Sequence, residues 1–313
     1  MTEIFALSQL IKLHPLYSLH RDEIQQTYLR LSRLGCLTEF YLRQAMHEYL
    51  PLVGEALEKN HALYKEHCAE ALRWQMEGVQ FVCYGEATYP TQCYRMADPP
   101  LTLSYRGSPC WMIERSISIV GSREPSADSL RWMEQELTQF FTMQMPIVIS
   151  GGARGVDQKA HSLSLRKRCP TAVVLPSGLG EIYPSSLQEW MTPVLDQGGC
   201  FISEYEPKQA MHKRLFHHRN RLIAALGRAT LLVEARRRSG TLITAHQAAE
   251  LSRPVWVVPG HPLDPHFLGG LDLLLDGAQL VRDAQDLSTL FHSELLTDDF
   301  KVAGIGGLLG GTH

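Results

Sequence analysis

The chain has 313 residues, with 30 Lys and Arg against 33 Asp and Glu, and a formal net charge of −3. Hydrophobic residues make up 44% of it and charged residues 20%, which is ordinary globular usage and excludes low-complexity, fibrous and disordered proteins. This length accommodates one large domain and a smaller one. Because the whole chain is slightly acidic, any affinity for nucleic acid must come from a local basic patch.

The cysteines and the N-terminus indicate a reducing compartment. Seven cysteines are scattered along the chain and include no CxxC pair, which argues against a disulfide framework or a thiolate zinc site. The start, MTEIFALSQL, lacks the basic residues and long apolar core of a secretory signal. No apolar stretch approaches the roughly 20 residues that a membrane helix needs. We therefore expect a cytoplasmic protein that does not associate with membranes.

Residues 1–78 have helical periodicity, with apolar residues recurring at a spacing of three to four. This pattern predicts a small domain of three or four helices. His61, His67 and Cys68 could suggest a metal, but no fourth ligand lies nearby in sequence, so a helix surface is the better interpretation. Residues 79–116 form a connecting segment expected to pack on the core, with one predicted strand, VQFVC, near its start.

From residue 117 the pattern changes to short β-branched runs separated by helix-length segments. The runs are ISIVG (117–121), IVIS (147–150), AVVL (172–175), FISE (201–204), TLLVEA (230–235) and VWVVPG (255–260). Strands without polar alternation are typical of a parallel sheet covered on both faces. Residues 117–282 are therefore predicted to form a doubly wound α/β domain, and residues 283–313 a short C-terminal tail.

Two polar loops follow the first two of these strands, at the edge where such sheets bind ligands. They read GSREPS (121–126) and GGARGVD (151–157). Their glycines allow close backbone approach, the helix that follows presents unpaired N–H groups, and each loop adds an arginine suited to phosphate. Neither loop fits the GxGxxG or P-loop pattern. We predict an anion-binding cradle here, with tight turns needed only for packing as the alternative.

The segment from Lys208 to Arg238 is strongly basic. It holds nine basic residues and one acidic residue, a net charge of +8 in 31 residues, which leaves −11 for the rest of the chain. Within it, FHHRNR (216–221) sets Phe216 beside two guanidinium groups and an amide. Such a group binds single strands when a base stacks on the ring and cations neutralise phosphates. A solvated helix face and a core position for Phe216 are the alternatives that the sequence leaves open.

The sequence predicts no catalytic residue, no metal site and no cofactor. The GxSxG and HExxH motifs and a paired-carboxylate motif are absent from the sequence. His161 follows the second glycine loop without an identifiable nucleophile, so we expect it to pack or cap a helix. Glu204 and Glu234 end predicted strands, and we expect them to position neighbouring loops or arginines.

Several segments, in this order, resemble the DprA (Smf) family of bacterial DNA-processing proteins. They include SIVGSREPS, VISGGARGVDQKAH, AVVLPSGLGEIYP, FHHRNRLIAAL and LLVEARRRSGTLITAHQAAE, and the resemblance covers about residues 85–282. It implies a Rossmann-like, mainly parallel fold and a mediator of recombination in natural transformation. Such a protein binds and protects incoming single-stranded DNA, forms a homodimer, and loads the recombinase RecA against competing single-strand-binding protein.

Carried onto this chain, the resemblance implies a DNA-binding site in the cradle and the basic segment, with Phe216 as the residue that stacks on a base. Its members would be Gly121, Ser122, Arg123, Gly151, Gly152, Arg154, Lys213, Phe216, Arg219, Asn220, Arg221, Ser239 and Gly240.

This chain departs from the family pattern in three places. Gly152 stands where the family commonly has a larger apolar residue, which is expected to loosen a core contact. Residues 1–78 occupy the place of the family's SAM-like domain. Only about 30 residues follow Val281, so we expect the winged-helix domain of many members to be absent.

The rival interpretation is an enzyme. The same Rossmann-like superfamily includes LOG-type phosphoribohydrolases, which act on nucleoside monophosphates and carry PGGxGTxxE. Here the sequence reads GTLIT at 240–244, with Thr244 where the catalytic glutamate belongs. A nucleotide could still occupy the cradle, so nucleotide binding stays open as the alternative function.

Overall fold

A nine-stranded sheet forms the centre of residues 2–291, the part of the chain that the computed structural model describes. Its strands are β1 (Gln80–Cys83), β2 (Thr102–Gly107), β3 (Ser116–Val120), β4 (Ile147–Ser150), β5 (Thr171–Val174), β6 (Cys200–Ser203), β7 (Thr230–Leu232), β8 (Val255–Val257) and β9 (Gln279–Leu280). Their order across the sheet is β1-β2-β6-β5-β4-β3-β7-β8-β9. β2 pairs antiparallel with β1 and β6, and the other neighbours run parallel.

The doubly wound α/β prediction is confirmed. Each of the six strands predicted after residue 116 is present and starts within one residue of its expected position. The segment 79–116 does more than connect, because it adds β1 and β2 to the edge of the sheet. β2 and β9 were not predicted from the sequence.

Five helices form in the described part of the N-terminal region, against the three or four that we expected. They are α1 (Thr2–Leu13), α2 (Arg21–Arg33), α3 (Glu39–Tyr49), α4 (Pro51–Lys59) and α5 (His61–Met76). The extra helix arises where the chain breaks at Leu50, whose φ of −137° and ψ of 67° lie outside the helical region. Helical backbone is unfavourable for the residue that precedes a proline, so α3 ends before Leu50. Pro51 then occupies the first turn of α4, where its missing N–H would have no helical partner.

Eight helices accompany the sheet in the remaining described residues. They are α6 (Ala127–Trp132), α7 (Thr138–Gln144), α8 (Val156–Arg166), α9 (Met191–Asp196), α10 (Lys213–Leu226), α11 (Gly240–Glu250), α12 (Leu268–Leu275) and α13 (Ala284–Ser288). Both faces of the sheet are buried, which is why its parallel strands are apolar without alternation.

Consecutive strand residues supply two separate cores. Ile119 packs with α7 and α8 on one face, while the next residue, Val120, packs on the other face with α10, α11 and the N-terminal helices. The rings of Phe5 on α1 and Phe81 on β1 stack with their centroids 3.9 Å apart. The N-terminal helices therefore share a hydrophobic core with the sheet.

The folded region extends beyond residue 282, where the tail was expected to begin. Ala284, Leu287 and Leu290 are buried in the same core as Phe140, and the Phe291 ring stacks on Phe140 at 6.0 Å. The rest of the expected tail, and with it the question of the winged helix, lies outside the described residues. No helix in residues 2–291 has both the length and the apolar character required to cross a membrane.

Candidate nucleic-acid-binding site

The candidate site lies where the strand order reverses. From β3 the chain winds outward through β4, β5 and β6, and then returns to place β7 on the other side of β3. The loops after β3 and β7 therefore diverge and leave a crevice at the carboxyl ends of the strands, which is the usual ligand site in doubly wound sheets. A cavity of about 760 Å³ occupies this crevice.

Nine of the thirteen residues named from the sequence line this cavity. They are Gly121, Ser122, Arg123, Lys213, Phe216, Arg219, Asn220, Ser239 and Gly240. Several residues that were not among the thirteen join them, namely Asp157, His212, His217, Arg236, Thr241 and Thr244. Gly151, Gly152, Arg154 and Arg221 lie outside the lining.

Phe216 is half-buried and its ring borders the cavity, so it is not a core residue. The guanidinium carbon of Arg123 lies 5.3 Å from the ring centroid, and that of Arg219 lies 5.7 Å from it. Both separations allow a cation–π interaction, which holds the ring in place. The cavity therefore combines a flat apolar surface with positive charge.

Arg219 lines the cavity but is held by the protein's own carbonyl oxygens. Its side chain is only 3% exposed, and its Nη1 atom donates to the Gly151 carbonyl at 2.8 Å and also to the Val174 carbonyl. Burial lowers the pKa of Arg219 to about 10, against the opposing effect of Asp157, so the group is charged at neutral pH. Arg219 fixes the ends of β4 and β5 from beneath the cavity.

The second glycine loop is shaped by close packing. A side chain at Gly151 would clash with the Arg219 guanidinium. At Gly152, where φ is +70°, a Cβ atom would lie 2.6 Å from Leu187 Cδ1. Leu187 thus fills the space beside Gly152, and the expected loosening of a core contact does not occur. Both glycines let the loop backbone pack closely against its neighbours, and neither of them lines the cavity.

Arg221 lies outside the cavity lining and is paired within the protein. It forms an ion pair with Glu204, and the two side chains are 11% and 8% exposed. His218 lies between two carboxylates, with Nδ1 3.5 Å from Glu204 and Nε2 3.4 Å from Asp98. Asp98 in turn pairs with Arg21 on α2 at 3.2 Å. This network confirms the positioning role expected for Glu204, and it ties α10 to the N-terminal helices.

The other predicted positioning glutamate, Glu234, anchors the loop after β3. Its Oε2 atom accepts from the Ser126 amide at 2.9 Å and from the Ser129 hydroxyl at 2.7 Å. On the opposite side, the Thr241 hydroxyl donates to the Gly121 carbonyl at 3.0 Å. The loop that carries Arg123 is therefore fixed at both ends before any ligand binds.

Only part of the basic segment contributes charge to the cavity. Lys208 pairs with Glu70 at 2.7 Å and Arg237 pairs with Asp272 at 2.6 Å, which neutralises both locally. Arg123, Lys213 and Arg236 are exposed and border the cavity. Ser239 and Gly240 add the N-terminus of α11, whose unpaired N–H groups attract anions.

Asp157 and His161 lie one turn apart on α8 and are both buried. Burial raises the pKa of Asp157 to about 6, although Arg219 and the loop amides favour its charged form. The Thr171 hydroxyl donates to the Val148 carbonyl, so it accepts from Nδ1–H of His161 at 2.7 Å. This leaves Nε2 buried without a partner in the described residues, and burial lowers the pKa of His161 to about 3. The expected packing role of His161 is confirmed.

Comparison with known proteins decides the family. The family model of DNA recombination-mediator protein A matches residues 80–292, well over half of the chain. The DNA processing protein DprA of Bacillus subtilis is 31% identical over 216 residues, which are 68% of this chain and 72% of that protein. The chain belongs to the DNA recombination-mediator protein A (DprA) family.

Solved DprA structures share the fold. The X-ray structure of DNA processing protein A from Streptococcus pneumoniae matches with a TM-score of 0.72 and 26% identity, covering 92% of this chain and 98% of that one. A structure of the Helicobacter pylori protein, described for its single-stranded DNA binding mode, matches with a TM-score of 0.60 and 28% identity over 68% of this chain and 96% of that one. Because the Streptococcus pneumoniae structure covers 92% of this chain, the match includes N-terminal helices as well as the sheet.

A periodic signal could have found His217, one of the DprA cavity residues that were not predicted from the sequence. Lys213, Phe216, His217 and Asn220 follow each other at steps of three, one and three, which places them on one face of α10. Arg236 follows a strand end, where ligand-binding residues are expected. Asp157 gives no such signal, because its position under the loop depends on residues distant in sequence.

Proposed function

We propose that the cavity binds single-stranded DNA without cleaving it. The observation that carries this proposal is the half-buried Phe216 ring facing a cavity bordered by Arg123, Lys213 and Arg236. The structure of the Helicobacter pylori relative, which was described for its single-stranded DNA binding mode, supports it.

The chemistry divides between two kinds of contact. A base stacks on the Phe216 ring, which favours unpaired strands because bases in a duplex have no free face. Arg123, Lys213 and the N-terminus of α11 attract phosphate oxygens. Arg219 and Asp157 hold the loops in place from below, and Arg154 is exposed next to them and available to a longer strand.

In the cell, the proposed role is that of a cytoplasmic recombination mediator in natural transformation. The protein would protect incoming single strands and load RecA onto them against single-strand-binding protein. We include a homodimer in this proposal, because Leu275 at the end of α12 and Leu280 on the edge strand β9 are 87% and 48% exposed. Exposed edges of this kind favour association with another chain.

The rival function, hydrolysis of nucleoside monophosphates, finds less support at the site. Thr244 lines the cavity at the position where a LOG-type enzyme carries its glutamate, and a hydroxyl is a poor general base. Asp157 is the acidic side chain that borders the cavity, and its carboxylate is committed to the amide of Ala153 at 3.3 Å.

A binding assay tests the proposal directly. Wild-type protein is titrated with a labelled oligo-dT, the matching duplex and dTMP over a range of salt concentrations. We expect the single strand to bind best, and the logarithm of its affinity to fall with log[salt] by about 0.7 per phosphate neutralised. Equal affinity for all three ligands, or release of free base from a nucleotide, would overturn it.

The variant Phe216→Ala separates stacking from charge. We expect it to weaken oligo-dT binding by about 1–3 kcal/mol while leaving the salt slope unchanged, because no cation is removed. Phe40→Ala is the matched control, since Phe40 is 67% exposed on α3 and lies outside the cavity. RecA filament assembly on strands coated with single-strand-binding protein then tests the mediator role, with Phe216→Ala expected to lose the stimulation.

A further inference from the structure

Tyr183 is an aromatic residue that contacts Phe216 from outside the cavity lining, and the binding chemistry described above does not use it. Its side chain is 39% exposed. The centroid of its ring lies 5.6 Å from that of Phe216, and the two ring planes are nearly perpendicular at 86°. Large exposed aromatic rings beside a basic cavity are typical of surfaces on which single strands stack.

The backbone holds Tyr183 in a fixed position relative to Phe216. The loop that carries it begins at the end of β5 and is tied to the segment leading into α10. The Gly178 amide donates to the Gln209 carbonyl at 2.8 Å, and the Gly180 amide donates to the Pro207 carbonyl at 2.8 Å. Buried Leu179 and Leu187 anchor the loop on either side of Tyr183. The two rings therefore form a preorganised pair.

The geometry of the pair points to two successive bases. A base that stacks on Phe216 has a neighbour in the strand, and Tyr183 offers an exposed aromatic ring in contact with Phe216. Because the rings are perpendicular, one base cannot stack on both of them. Tyr183, which is 39% exposed, can therefore take a second base, provided that the strand bends between the two nucleotides.

We propose that Tyr183 is a second stacking site, which holds the base next to the one on Phe216. This inference rests on the proposed binding of single-stranded DNA. The ligand at this subsite is any unpaired nucleobase of the same strand, since every base offers a flat face. The competing role for Tyr183 is to support the Phe216 ring through their edge-to-face contact.

Scanning with abasic nucleotides distinguishes these roles. Wild-type protein and the variants Tyr183→Ala and Phe216→Ala are titrated with a short oligo-dT that carries one abasic position, moved along the strand. On intact oligo-dT, Tyr183→Ala should weaken binding about 5- to 150-fold, the range expected for one stacked base. One abasic position should cancel the effect of Tyr183→Ala, and the adjacent one should cancel that of Phe216→Ala.

Controls keep the test decisive. Tyr183→Phe retains the ring and should bind within about threefold of wild type, because stacking does not need the hydroxyl. Tyr41→Ala removes a tyrosine of similar exposure, 44%, from α3 and should have no effect. The inference is wrong if Tyr183→Ala binds normally, or if the same abasic position cancels both variants. If wild-type protein does not bind oligo-dT at all, the proposed function itself fails.

Discussion

Helix α10 carries two groups of polar and basic residues, one exposed at the cavity and one buried against the protein. On the cavity face, Lys213 and His217 are exposed beside the half-buried Phe216 ring. Arg219 and Arg221 are two residues apart and so lie on opposite sides of the helix, yet both are committed to the protein, the first to carbonyl oxygens and the second to Glu204. The two arginines of the RNR sequence therefore hold the fold together, while Asn220 between them lines the cavity.

This difference shows that a basic motif in the sequence does not reveal whether its side chains are exposed in the fold. A guanidinium with five donors can hold backbone carbonyls as firmly as phosphates, and only its surroundings decide which. On this view, substitution of the two buried arginines acts on stability, and substitution of the exposed cavity residues acts on binding.

The largest expected effect is that of Arg219→Ala. Removing this buried cation leaves the Gly151 and Val174 carbonyls without its donors, and leaves Asp157 without its counter-charge. We expect the free energy of unfolding at pH 7 to fall by about 3–5 kcal/mol, as for other broken buried pairs. Urea denaturation measures it. Arg33→Ala, at an exposed position on α2, should change the stability by less than about 0.5 kcal/mol.

A paired comparison of Arg221→Ala with Arg123→Ala tests this division between a buried and an exposed arginine. Arg221→Ala leaves buried Glu204 unpaired, so we expect a loss of about 3 kcal/mol of stability and an unchanged salt slope for oligo-dT binding. Arg123→Ala should leave the stability within about 0.5 kcal/mol of wild type and reduce the salt slope by about 0.7. Should Arg221→Ala lower the slope as much as Arg123→Ala does, the buried and the exposed arginine are not functionally distinct.

The pH dependence of stability tests the burial of His161 and Asp157 on α8. The pKa of His161 is lowered to about 3 in the folded protein, so its contribution to stability is present above pH 6.5 and is lost as the pH falls. The pKa of Asp157 is raised to about 6, so its contribution is present below pH 3.8 and is lost as the pH rises through 6. Between pH 4 and 6 the two slopes oppose each other.

Substitution should therefore reveal each slope separately. Relative to wild type, His161→Gln should gain about 1.4 kcal/mol of stability for each unit of pH lowered from 6 to 4, because the buried neutral imidazole is removed. Asp157→Asn should show the opposite trend of similar size over the same range. Denaturation curves at pH 4, 5 and 6 measure both, and parallel curves for all three proteins would contradict the assignment.

The smallest expected effect concerns the hydrogen bond between Thr241 and Gly121 at the cavity. Thr241→Val removes the hydrogen bond from the Thr241 hydroxyl to the Gly121 carbonyl, which holds the loop carrying Arg123. We expect a loss of about 1 kcal/mol of stability. The affinity for oligo-dT should also fall, because the loop is then less well ordered before binding. Thr241→Ser, which keeps the hydroxyl, should behave as wild type in both measurements.

Much of the fold followed from the sequence. Six parallel strands could be placed because each is an apolar run long enough to span a sheet buried on both faces. The position of the cavity followed as well, since right-handed crossovers bring the carboxyl ends of parallel strands to one edge. β2 and β9 were missed because one is enclosed by proline-rich sequence and the other has two residues.

The sequence by itself determined that cations and an aromatic ring gather beside the glycine loops. Only the tertiary structure decided which of them reach the cavity. Arg219 meets Gly151 across 68 positions of the chain, and Arg221 meets Glu204 across 17. A side chain's exposure depends on such distant partners, because burying a charge is tolerated only where the fold supplies its counter-charge or acceptors.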